Sequence, residues 1–157
     1  MITNDQFNNK IEMHFTDSDD QANGEHVLAI PLYQGKYVLT NHKKRGIEFP
    51  GGKIEKNETS ECAIKRELFE ETGAVIQDMQ YIAQYTVYHP SGKRWFTKDV
   101  FAINVKAIEG KQDYLETKGP VVVHSLDTID EKEKSYLLTD EVILKCAERV
   151  NQLGLYQ

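Results

Sequence analysis

Between Pro50 and Gly73 the chain carries two consecutive glycines, a run free of Gly and Pro from Thr59 to Thr72, and five glutamates between Glu58 and Glu71. Ala63, Ile64 and Leu68 fall at helical spacing in that run, and Gly73 follows it where a left-handed terminating residue is favoured, so the run reads as a helix. One face of that helix is apolar and has to be covered. The other brings the carboxylates of Glu67, Glu70 and Glu71 within a few ångströms of one another. Like charges at that spacing weaken an isolated helix by about 0.3 kcal/mol per pair, so the cluster needs solvent and counter-charges or a bound cation. Three features favour the cation. The apolar face anchors the helix and fixes the carboxylates in space. Gly51 and Gly52 allow a close backbone approach and offer carbonyl oxygens to a hard ion. Arg66, beside Glu67 and one turn before Glu70, can hold a glutamate in one orientation. Oxygen donors open on one side suit Mg²⁺, which keeps several waters and usually binds few carboxylates together with substrate phosphates.

Around this helix the sequence alternates short apolar runs with turn residues. "KIEMHF" (10–15) has the period of a half-buried strand, and the polar run 16–25 reads as a loop. "HVLAIPLY" and "KYVLTNH" flank Gln34-Gly35 and read as a hairpin, with Pro31 expected at a sheet edge or bulge. Met79–Val87 and Trp95–Val105 form a second pair joined by "HPSGKR", and "VVVHSL" (121–126) is a further strand. A last helix is expected from Thr139 as its cap, with Val142, Cys146, Val150 and Leu153 on one apolar face. Helices interspersed among hairpin strands predict one α/β domain over residues 1–157, a mixed sheet sandwiched between helices.

Composition narrows the functions. With 19 Lys and Arg against 25 Asp and Glu, the net charge of −6 disfavours stable, sequence-independent DNA binding. Cys62 and Cys146 stand far apart and read as buried free thiols. The first ten residues are polar, and no apolar run reaches membrane-spanning length, which predicts a cytoplasmic protein with no membrane partner.

Gly52, five residues, Glu58, seven residues, then Arg66-Glu67-Leu68, one residue, Glu70-Glu71, one residue and Gly73 resembles the box of the Nudix family over 23 residues. Only its last position departs, where Ala74 replaces a larger aliphatic residue. The resemblance implies the Nudix fold and Mg²⁺-dependent hydrolysis of a diphosphate linked to another group, with Mn²⁺ as a substitute. It implies Glu70 and Glu71 as metal ligands with the carbonyl of Gly51, Glu67 as general base, ligand or both, Arg66 as their orienting partner, and Glu58 as a supporting residue. A further carboxylate ligand would come from Asp99, Glu109, Asp113 or Glu116, with Glu116 preferred.

"RGIEFPGGK" and "RWFTKDVFAINV" resemble the MutT-like, YtkD-type nucleoside triphosphatases of Firmicutes, a likeness covering most of residues 26–105. It implies a nucleotide substrate, an oxidised purine nucleotide such as 8-oxo-dGTP, cleaved to the monophosphate and pyrophosphate. The alternative is removal of pyrophosphate from triphosphorylated RNA 5′ ends. A non-catalytic nucleotide-binding regulator would be expected to lack a carboxylate of the box, and none is lacking. Lys43, Lys44 and Arg45, the densest positive cluster, are candidates to steer the triphosphate toward the metal.

Overall fold

The computed structural model describes residues 1–157. In chain order the strands and helices are β1 (Ile2–Asn4), β2 (Lys10–Phe15), β3 (His26–Tyr33), β4 (Lys36–His42), β5 (Gly46–Glu48), β6 (Gly51–Lys53), α1 (Ser60–Thr72), β7 (Ala74–Tyr88), β8 (Arg94–Ile108), β9 (Thr117–Val123), α2 (Tyr136–Thr139) and α3 (Glu141–Gln152). The nine strands form one mixed sheet in the order β1-β2-β7-β8-β3-β4-β5, with β6 paired to β3 and β9 to β4. Only β3 and β8 run parallel among the named pairs.

The apolar run of β3 is continuous because this central strand is buried on both faces. Leu28, Ile30 and Leu32 pack on one side with Val142, Cys146 and Val150 of α3. Val27 and Ala29 pack on the other with Ala63, Ile64 and Leu68 of α1. The two cores make the expected α/β/α sandwich, and no helix is long and apolar enough to cross a membrane. Thr59 caps α1 by accepting a hydrogen bond from the Cys62 N–H at 3.1 Å. Gly73 ends the helix with φ of 77° and donates its N–H to Phe69 O at 2.8 Å.

Several expectations shift. Pro31 lies inside a central strand rather than at an edge; the β3–β4 ladder spans only Leu32–Tyr37 and Tyr33–Lys36, after the proline. The β7–β8 pair extends beyond the expected ends, and β9 ends at Val123 because Ser125 caps a short 3-10 turn over Leu126–Thr128. Thr139 closes α2, which Ser135 caps, and Asp140 stands at the start of α3. Leu153 is exposed, as is Cys62 on the outer side of α1, so only Cys146 is a buried thiol.

Asp140 carries no hydrogen bond from its side chain to the helix it precedes. Burial, and then the charge of Asp5, push its carboxyl from 3.8 up to about 6. The folded form therefore holds this proton more tightly than the unfolded chain. The penalty is absent below the unfolded value and complete once pH has risen past about 6. Asp140→Asn, an equally good cap, is expected to stabilise the protein by on the order of 1 kcal/mol at neutral pH after solvent screening. Thermal melts should show that gain near pH 7.5 and not near pH 3.5; an equal gain at both would refute the assignment.

Candidate active site

Helix α1 turns its polar face toward β6 and the loop before it, and Arg66 organises that face. Its Nε and Nη2 donate to the two oxygens of Glu58 at 2.8 and 2.9 Å, and Nη1 donates to Glu67 Oε1 at 2.8 Å and Glu70 Oε2 at 3.4 Å. Nη2 also donates to Lys53 O at 3.1 Å, fastening the helix to β6. The bidentate bond holds Glu58 well ionised, its pKa drawn down to about 2, and raises that of Arg66 in return. The arginine thus relieves the like-charge repulsion that the helical spacing creates.

Gly51 and Gly52 meet these carboxylates from the strand side. The Gly51 N–H donates to Glu71 Oε2 at 3.0 Å. A side chain at Gly52 would put its Cβ 2.5 Å from Glu67 Cδ, so glycine leaves the room that the carboxylate occupies. Burial pushes the Glu67 carboxyl upward against the opposing pull of Arg66. Burial, reinforced by the nearby Glu67 charge, pushes Glu71 up to about 9. Glu71 is paired with a backbone N–H and with no cationic side chain, so it needs a proton or a cation to sit where it does.

Both glutamates open onto a cavity of about 550 Å³ whose wall includes Gly51, Gly52, Arg45, Glu48, Lys98 and Glu116. No group of three or more acidic, histidine or cysteine side chains already encloses a shared point. The oxygen donors instead line an open wall, the arrangement that leaves coordination positions to water and substrate phosphates. The donor chemistry and the uncompensated Glu71 carboxyl both fit a hard divalent cation. Glu70 lies beside Arg66 on the same helix face, one-third exposed.

Outside the box, Glu116 reaches this cavity from just before β9, with its carboxylate 3.9 Å from His42 Nε2. Asp99 does not. It is fully buried and accepts from Gly24 N, Ser60 Oγ, Tyr81 Oη and Gln84 Nε2 at 2.7 to 3.0 Å, which makes it a tie between the loop before β3, the start of α1 and the sheet. Asp113 is spent on the Leu115 N–H. The basic cluster is divided. Arg45 makes two bonds of 2.9 Å to Glu48 on the cavity wall, Lys43 donates to Leu115 O at 2.7 Å, and Lys44 sits with both in a neighbouring hollow of about 320 Å³. Glu48 and Lys98 carry no motif that marks them; strand pairing delivers them to the site.

A NUDIX domain model matches residues 22–137, and the chain belongs to the Nudix family. Fold and site together define a Nudix pyrophosphohydrolase. The chain is 34% identical over 152 residues to YtkD of Bacillus subtilis (strain 168), described provisionally as an 8-oxo-dGTP diphosphatase, covering 96% of this chain and 95% of that protein. An 8-oxo-dGTP diphosphatase of Proteus vulgaris is 41% identical over 81 residues, 52% of this chain and 67% of that protein. The crystal structure of the Bacillus subtilis pyrophosphohydrolase BsRppH, a Glu-to-Ala variant, matches with a TM-score of 0.89 at 33% identity over 100% of this chain and 99% of that one.

Proposed function

We propose that the protein hydrolyses nucleoside triphosphates, with oxidised purine nucleotides such as 8-oxo-dGTP preferred, to the monophosphate and pyrophosphate in the cytoplasm. The observation that carries this reading is the cavity in which Glu67 and Glu71 face Gly51 and Gly52 beside three cationic side chains, Arg45, Lys53 and Lys98. The near full-length likeness to YtkD supports the choice of nucleotide.

Glu70 and Glu71, with the Gly51 carbonyl and Glu116 from across the cavity, would hold Mg²⁺, or Mn²⁺ in its place. When bound, the ion neutralises phosphoanhydride oxygens and acidifies water. Glu67 accepts the proton of the attacking water, a role for which a carboxyl made more basic by burial is suited. Arg66 keeps Glu58, Glu67 and Glu70 apart and aimed. Arg45, pinned by Glu48, lines both the cavity and the hollow next to it, where Lys43 and Lys44 guide the triphosphate inward.

A second reading, hydrolysis of triphosphorylated RNA 5′ ends, draws support from the match to BsRppH. Release of pyrophosphate from 8-oxo-dGTP, dGTP, ATP, ADP-ribose and a 5′-triphosphorylated oligoribonucleotide, each with and without Mg²⁺, separates the two. The leading reading expects Mg²⁺-dependent turnover with kcat/KM highest on 8-oxo-dGTP. Preference for the oligonucleotide would move the function to RNA ends, and turnover that survives chelation would overturn the metal assignment.

A further inference from the structure

Lys98 is a half-buried cation that the box does not account for. It sits on β8 between two neighbours in register, His26 of β3 and Tyr85 of β7, and so rises from the middle of one sheet face. Its Nζ lies 5.7 Å from the ring centres of both Tyr85 and Phe96. Of the nearby carboxylates, Glu48 is engaged by Arg45 and Glu71 by the Gly51 N–H, while Asp140 lines the recess beyond without forming an ion pair with Lys98. Burial draws the ammonium down to about 8, which leaves it mostly charged at neutral pH. A cation held in this way, facing a cavity without a paired side chain, is a receptor for an anion.

The position of Lys98 says which anion. Beyond it the carboxylate cavity continues into a recess of about 280 Å³ walled by Phe7, Tyr85, Val87, Trp95 and Tyr136. Phe96, Lys98, Tyr136 and Leu137 line both spaces, so the two are one cleft with the ammonium at the junction. Phe96 is held there by a flat stack on His26, ring centres 4.2 Å apart. The recess lies just under the usual ~300–1,000 Å³ of a small-molecule pocket, enough for one aromatic ring system and too little for a stack of bases. Aromatic walls suit the face of a base. A nucleotide with its terminal phosphates at Glu67 and Glu71 can extend along this cleft only by passing Lys98.

We propose that Lys98 binds the phosphate adjoining the nucleoside and that the aromatic recess beyond it receives the base, so that the cleft measures a nucleoside polyphosphate from both ends. This rests on the nucleotide-hydrolase reading above, and its test is a binding measurement that requires neither metal nor turnover. Trp95 is the only tryptophan of the chain and lines the recess, so its emission reports occupancy directly. The probes are dGMP and 8-oxo-dGMP, which carry the single adjoining phosphate, and deoxyguanosine, which carries none.

In the full-length protein, Lys98→Met is expected to weaken both monophosphates by roughly ten- to hundredfold, the range for a charge-assisted hydrogen bond, and to leave deoxyguanosine unchanged. Lys98→Arg should recover most of the loss. Unchanged monophosphate affinity in Lys98→Met, an equal loss for the nucleoside, or no response of Trp95 in the unaltered protein would each overturn the proposal. A thermal melt of each variant separates a lost contact from a lost fold. If the unaltered protein binds monophosphates through Lys98 but hydrolyses no triphosphate, the hydrolase reading fails and this one stands. If it hydrolyses them and Lys98→Met binds and turns over normally, the reverse holds.

Discussion

Glu67→Gln is expected to lower kcat at least about a hundredfold on whichever substrate the protein turns over, with the fold intact. The amide keeps the shape and the Oε1 acceptor that Arg66 Nη1 uses at 2.8 Å, so the helix face should remain assembled. What disappears is the ability to take a proton. Metal titration of the variant, followed by the rise in melting temperature as Mg²⁺ is added, then divides the two roles that one carboxylate can play. Unchanged metal affinity with collapsed kcat makes Glu67 the base, whereas a weakened metal response makes it a ligand. Near-normal turnover would remove Glu67 from the chemistry altogether. The same substitution also discharges a partly buried carboxyl whose ionisation burial opposes, so the metal-free variant should melt no lower than the unaltered protein.

The helix that carries this residue was legible in the sequence because its signals are local. The apolar spacing of Ala63, Ile64 and Leu68 and the terminating Gly73 sit within a few residues of what they control, and the structure uses each as the spacing predicts, with Thr59 as cap rather than first turn. Arg66 likewise finds its partners at short range, since Glu58, Glu67 and Glu70 lie no more than 8 residues from it in the chain. The opposite wall of the cleft was not legible. Lys98 reaches it only because β8 runs parallel to β3 with Lys98 opposite His26, and Glu48 only because β5 folds back on β4. Those registers join residues far apart in the chain, and no period within either strand announces them.

Two misreadings differ in origin. Asp99 was one of four acids available as a metal ligand by residue type, yet four donors from three separate segments already satisfy it. Thr139 looked like a helix cap, but Ser135 starts the short α2 that Thr139 closes. At Asp99 contacts from elsewhere claimed the residue first, whereas Thr139 bonds back to Tyr136 O within the short helix it closes.

Gly52→Ala should reproduce most of the loss of Glu67→Gln without removing any charged group. The added Cβ would fall 2.5 Å from Glu67 Cδ and 2.6 and 2.7 Å from its two oxygens, closer than such atoms approach. Gly52 is not in the left-handed region, so alanine meets no backbone penalty there. The atoms in the way are also the far end of a flexible side chain rather than backbone. The carboxylate therefore swings aside at a stability cost of about 0.5 kcal/mol or less, as for a surface substitution. Displacement by about 1 Å is enough to cost on the order of a hundredfold in rate when reacting groups must be aligned. The expected variant melts within a few degrees of the unaltered protein and is nearly inactive. Gly51 provides the contrast, since its Cβ would meet the Val27 carbonyl oxygen at 2.3 Å, a backbone atom in the sheet that cannot yield. Gly51→Ala should accordingly lose stability together with activity. Measuring melting temperature and kcat/KM for both variants tests the placement of Glu67 directly. An active Gly52→Ala would show that the chemistry does not need the Glu67 carboxylate against the glycine pair.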